Sequence, residues 1–176
     1  MHICIVVGHN SKDQGAENKS FDLTEYKYNM EVGKMIIDNL SLDFETSFIY
    51  DKQLSELPKA INQTKADLCI NLHCNAFNRI ASGTETLYYH TSSVGKKFAA
   101  CVQERVLDAL ELRDRGIKPI TGDERGGYVL RKTSMPCLIT EPAFIDNDVD
   151  CILLMDNKEL LATAIAEGIR DFIQKK

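Results

Sequence analysis

The chain has 176 residues, 44% of them hydrophobic and 27% charged, the balance of a globular domain large enough for one sizeable core. Its formal net charge of -5 argues against a basic face for nucleic acid. No apolar stretch reaches the roughly 18 residues of a membrane span, so disordered, fibrous, nucleic-acid-binding and membrane-spanning classes are set aside.

The start MHICIVVGH has no basic leader region and no small-residue cleavage site, so the expectation is synthesis in the cytoplasm without a signal peptide. Residues 2–7, HICIVV, are dense in β-branched types and read as a first strand. Gly8 then permits a tight turn that delivers His9. Residues 10–23 are polar and aperiodic and are expected to form a loop over the site. From Thr24, a suitable N-cap, Tyr28, Val32, Met35, Ile36 and Leu40 recur at helical spacing. Glu25 falls in the first turn of that helix, where a carboxylate is favoured by the helix dipole whether or not it has a further role.

Residues 44–50 read as a second strand, and 54–66 as a helix with Pro58 in its first turn. The apolar run LCINLHCN, residues 68–75, is a buried strand that ends at His73 and Asn75. Residues 83–90 alternate as a strand at or near a sheet edge, and 94–112 form an amphipathic helix with Phe98, Val102, Val106 and Leu110 on one stripe. Residues 113–127, rich in Gly and charge, read as a long irregular segment, and 128–131 as a short strand. Residues 137–140 are the last strand, delivering Glu141, and helices follow over 148–155 and 158–174, the latter with Lys175 and Lys176 at its carboxyl end. Strands alternating with helices predict an α/β fold, one domain over residues 1–176, with a mostly parallel sheet covered on both faces.

Three strands thus end in imidazole, imidazole and carboxylate, where open α/β sheets bind ligands. A catalytic zinc site takes three protein ligands and leaves a fourth position to water. His9, Glu25 and His73 suit the three places, one Zn2+ per chain, and Glu141 suits the base that moves the water's proton. Asp13, Glu17 and Glu85 are rival carboxylates, Glu85 the most serious. His2 lies at the opposite sheet edge with no expected role, and His90 ends its strand either in solvent or near the site. The six cysteines form no C-x-x-C pair and are expected to be reduced core thiols, with Cys74 facing away from His73. There is no G-x-G-x-x-G after the first strand and no P-loop, which disfavours a nucleotide-binding protein.

These residues carry a resemblance. GH at 8–9, EYKYN at 25–29, NLHCNA at 71–76, RGIK at 115–118 and LRKTSMPCLITEPAFIDN at 130–147 are similar, in order and across almost the whole chain, to the zinc-dependent N-acetylmuramoyl-L-alanine amidases of the amidase-3 type. The resemblance implies a mixed six-stranded sheet, zinc on His9, Glu25 and His73, catalytic Glu141, and hydrolysis of the amide between muramic acid and L-alanine in peptidoglycan. It places Asn75, Arg131 and the 113–127 segment at the substrate. Phage endolysins of the family commonly add a wall-binding domain and exported members a signal peptide. With neither evident, action on the wall after release or lysis is expected. The alternatives are a zinc carboxypeptidase acting on other peptides and a catalytically silent wall-binding domain.

Overall fold

The computed structural model describes residues 1–175, so Lys176 lies outside it. In chain order the elements are β1 (His2–Val7), β2 (Glu17–Asn18), β3 (Leu23–Thr24), α1 (Glu25–Leu40), β4 (Glu45–Ile49), α2 (Leu57–Gln63), β5 (Leu68–Leu72), β6 (Thr84–Tyr89), α3 (Ser93–Leu110), β7 (Asp114–Ile120), α4 (Gly127–Lys132), β8 (Cys137–Glu141), α5 (Asp148–Asp156) and α6 (Lys158–Gln174).

Six strands form one sheet in the order β4-β1-β5-β8-β6-β7, and β2 and β3 form a separate two-stranded ribbon. Every neighbouring pair in the large sheet is parallel except β8 and β6, which run antiparallel. The carboxyl ends of β1, β5 and β8 therefore share one edge, and the antiparallel β6 brings its amino end there, pairing Glu85 with Glu141.

Side-chain alternation divides the core into two layers. Ile3, Ile5, Ile70 and Leu138 face α1, α3 and α6, whereas Cys4, Val6, Cys69, Cys137 and Ile139 face the shorter α2 and α4. The stripe Tyr28, Val32, Ile36 and Leu40 buries α1, which begins where Thr24 Oγ1 accepts from the backbone N–H of Lys27 at 3.4 Å. All six cysteines are buried as free thiols.

Four sequence expectations are corrected. Residues 113–127 are not irregular: they contain β7, the edge strand beside β6. Its Gly116, Pro119 and charges look like loop composition, but an edge strand tolerates all of them because one side of its backbone needs no partner. Residues 128–131 are helix α4, not strand. Val129 and Leu130 are both buried, which adjacent residues achieve on one helix face and cannot achieve on one sheet face. The 10–23 loop contains the β2–β3 ribbon. Helix α2 starts later than residue 54, leaving Leu54 62% exposed.

Candidate metal centre

The site begins with a turn. Gly8 donates its N–H to Leu72 O at 2.9 Å, tying the end of β1 to β5, and His9 then takes a left-handed φ of 64°. That conformation is uncommon for a residue with a Cβ, and here it carries the imidazole back over the sheet edge. A Cβ on Gly8 would lie 2.4 Å from the His73 ring, and one on Gly15, itself at φ +73°, would lie 2.6 Å from Glu25 Oε2. Both glycines let backbone close tightly around the imidazole and carboxylate groups.

Glu25 is the first residue of α1 and is 3% exposed. Its Oε1 accepts from the Cys74 N–H at 2.9 Å and lies 2.8 Å from His73 Nδ1. Its Oε2 accepts from the Ala16 N–H at 3.1 Å and lies 3.2 Å from His9 Nε2. Burial opposes its ionisation, but the hydrogen bonds with His73 and His9 outweigh burial and hold its pKa well below the usual carboxylate range. The bond to Glu25 in turn raises the pKa of His9 above its ordinary value.

One donor atom from each of His9, Glu25 and His73 lies within 4.8 Å of the other two. Two imidazole nitrogens and a carboxylate oxygen, convergent and shielded, are a donor set that fits a divalent transition metal. The set arises because two parallel strands and a helix start converge on one sheet edge, and Asn29 secures the convergence by donating Nδ2 to Leu72 O at 3.2 Å.

Glu141 ends β8 at the same cavity, which encloses about 380 Å3 and has Leu87, Val129 and Ile139 as apolar walls. The two oxygens of its carboxyl differ. Oε1 accepts from Arg125 Nη2 at 2.5 Å, whereas Oε2 is buried without a partner among the described residues. Complete burial pushes its pKa up to about 7, against the opposing pull of His73 and Arg125. The guanidinium is close, but its side chain is 57% exposed, so water screens much of what it returns to the anion.

Asn75 is buried beside Glu141 and bonds to Glu85 and Arg125. Arg131 is exposed on α4 with its side chain against Gly122. Among the rival carboxylates, Asp13 lies 3.7 Å from His9 Nδ1, Glu17 pairs with Lys19, and Glu85 is bound to Arg115 and Asn75. His2 bonds Ser47 at the far edge, and exposed His90 packs on Tyr89. Cys74 turns its sulfur towards Asn29. Sequence reasoning missed Arg125, which it buried in a supposed irregular segment. The signal that could have found it is its place just before Gly126 and Gly127, and in the fold Gly126, at φ +77°, sits so close to Ile139 of β8 that a Cβ would lie 2.3 Å from its Cδ1.

A mostly parallel α/β sheet with a two-histidine, one-carboxylate cluster at its strand ends and a buried fourth carboxyl defines a candidate metallohydrolase. The chain belongs to the N-acetylmuramoyl-L-alanine amidase family, whose model matches residues 3–171.

The chain is 27% identical over 180 residues to the N-acetylmuramoyl-L-alanine amidase LytC of Bacillus subtilis, covering 94% of this chain and 34% of LytC. It is 30% identical over 180 residues to an endolysin of Bacillus phage SPP1, covering 96% of this chain and 65% of the endolysin. An uncharacterized cell wall amidase of Bacillus anthracis is 36% identical over 124 residues, 65% of this chain and 22% of that protein. The chain thus spans only part of each of these relatives. Among solved structures, the amidase from Clostridium difficile 630 superposes with a TM-score of 0.89 at 25% identity, covering 99% of this chain and 97% of that one. Among the described residues, no helix is long and apolar enough to cross a membrane.

Proposed function

We propose that this chain hydrolyses the amide bond between N-acetylmuramic acid and L-alanine in peptidoglycan, with residues 1–176 as the catalytic domain acting on the cell wall. The observation that carries the reading is the convergence of His9, Glu25 and His73 within 4.8 Å in the cavity that also holds Glu141. Family membership supplies the substrate class.

In this reading His9, Glu25 and His73 hold one Zn2+. When bound, the ion supplies Lewis acidity, which favours ionisation of water and polarises a carbonyl. Glu141 manages the protons. Its partnerless Oε2 accepts a proton from the attacking water and delivers it to the departing L-alanine nitrogen, which leaves as an amine. Burial raises the proton affinity of this carboxyl above that of an exposed glutamate in the metal-free chain, which favours a group that must take up a proton before giving it back. The apolar walls at Leu87, Val129 and Ile139 limit water around the carboxyl and strengthen its interactions.

The test is digestion of purified peptidoglycan by metal-loaded protein, with and without chelator. New L-alanine amino termini, lost on chelation and restored by zinc, are expected. Release of single free amino acids would instead identify a carboxypeptidase, and turnover indifferent to chelation would remove the metal from the proposal.

A further inference from the structure

The two oxygens of Glu141 are treated differently by the fold, and the cause can be traced across the sheet. Arg125 Nη2, which holds Oε1, also donates to Asn75 Oδ1 at 3.1 Å. Asn75 spends its other amide atom by donating Nδ2 to Glu85 Oε1 at 2.7 Å, and Glu85 Oε2 accepts from Arg115 Nε at 2.8 Å. The amide orientation of Asn75 follows from its neighbours, because only Nδ2 can serve a carboxylate and only Oδ1 a guanidinium.

The far end of this chain is anchored. Arg115 lies 4.9 Å over the Phe144 ring, and the Asn75 backbone is bonded to Ala143 O and to the Ile145 N–H. Glu85 and Glu141 face each other in register on antiparallel strands, and each of these like charges has its own arginine.

Resting on the role of Glu141 proposed above, we infer that Arg125 is a positioning residue, held in place through Asn75, Glu85 and Arg115, that pins one oxygen of Glu141 and leaves the other free for the proton. A terminal carboxyl turns in a broad torsional well, so an unpinned Glu141 would spend time with neither oxygen in line. A half-exposed ion pair alone restrains little. Buried Asn75 and the half-buried Glu85, each bonded on both sides, make the restraint firm. In this arrangement Asn75 acts on Glu141 through Arg125.

The experiment measures kcat and KM separately for the zinc-loaded full chain on a soluble muramoyl peptide. Arg125→Ala is expected to lower kcat by about 10- to 100-fold with little change in KM, as small misplacements of a reacting group do. Zinc content should stay at the wild-type level, and added guanidinium ion should recover part of the rate. Glu85→Gln should lower kcat less, and the double variant should be no slower than Arg125→Ala, because the two act along one path. If circular dichroism shows Glu85→Gln unfolded, Arg115→Met tests the same link.

An Arg125→Ala enzyme with wild-type kcat overturns the inference. So does a loss carried by KM alone, or losses that multiply in the double variant. A wild-type chain that cleaves no muramoyl peptide, or cleaves it regardless of chelator, fails the proposed function instead.

Discussion

Glu141 concentrates the chemistry at the scale of one side chain. Glu141→Gln keeps the shape and removes the proton carrier, so bound zinc should remain stoichiometric by elemental analysis while turnover falls by about 100- to 10,000-fold. Normal turnover would exclude Glu141 as the base.

The same carboxyl leaves a mark on stability in the metal-free protein. Its ordinary pKa is 4.5, and burial raises it to about 7 in the folded chain. Below pH 4.5 both states hold the proton. As pH rises through the folded pKa, the unfolded chain has already ionised while the native state must ionise in a buried setting, so stability is lost. The difference amounts to about 3 kcal/mol between pH 4.5 and 8. Glutamine does not titrate, so the stability of Glu141→Gln relative to wild type should rise by that amount across this range in chelator, measured by urea unfolding. Parallel profiles would show that the carboxyl is not desolvated. Glu25 has the opposite sign, since its pKa is depressed. Its contribution is present above its unfolded pKa and is lost as pH falls.

Packing of whole elements raises a different constraint. Helix α6 crosses α3 at Gly168, where a Cβ would stand 2.8 Å from Val102 Cα and 3.1 Å from Cys101 O. Backbone cannot step aside as a flexible side chain can. Gly168→Ala should therefore destabilise by about 1–3 kcal/mol through overpacking, despite the better helix propensity of alanine. Denaturant unfolding checks this, and an unchanged or higher midpoint would mean that the two helices can separate without cost. Helices α1, α3 and α6 were legible because their apolar residues repeat at helical spacing, as Phe98, Val102 and Val106 do. Strand β7 and helix α4 were not. Edge strand β7 carries loop-like residues, and the six residues of α4 make fewer than two turns, too few for a period to appear.

Across the whole molecule, metal binding and folding should be linked, because His9, Glu25 and His73 come from separate elements and converge only in the native state. Zinc at a free concentration about 100 times its Kd should stabilise the chain by about 2.7 kcal/mol, a rise in Tm of roughly 5–10 °C for a chain of this size. His73→Ala should abolish that rise and Glu141→Gln should keep it. A Tm indifferent to zinc in the wild type would argue against a native site at this cluster.

By itself, the sequence determined which stretches could be strands and long helices, that α/β layers would follow, and which imidazoles and carboxylates would stand at strand ends. Those properties reside in spacings of a few residues, where local periodicity and capping act. Only the tertiary structure decided the strand order, the antiparallel pairing that sets Glu85 against Glu141, and the meeting of Glu25 with His73, 48 positions apart in the chain. The hold of Arg125 on Glu141 belongs with these. Such contacts depend on how buried faces pack, and no local spacing encodes the distance between two side chains that only a folded sheet brings together.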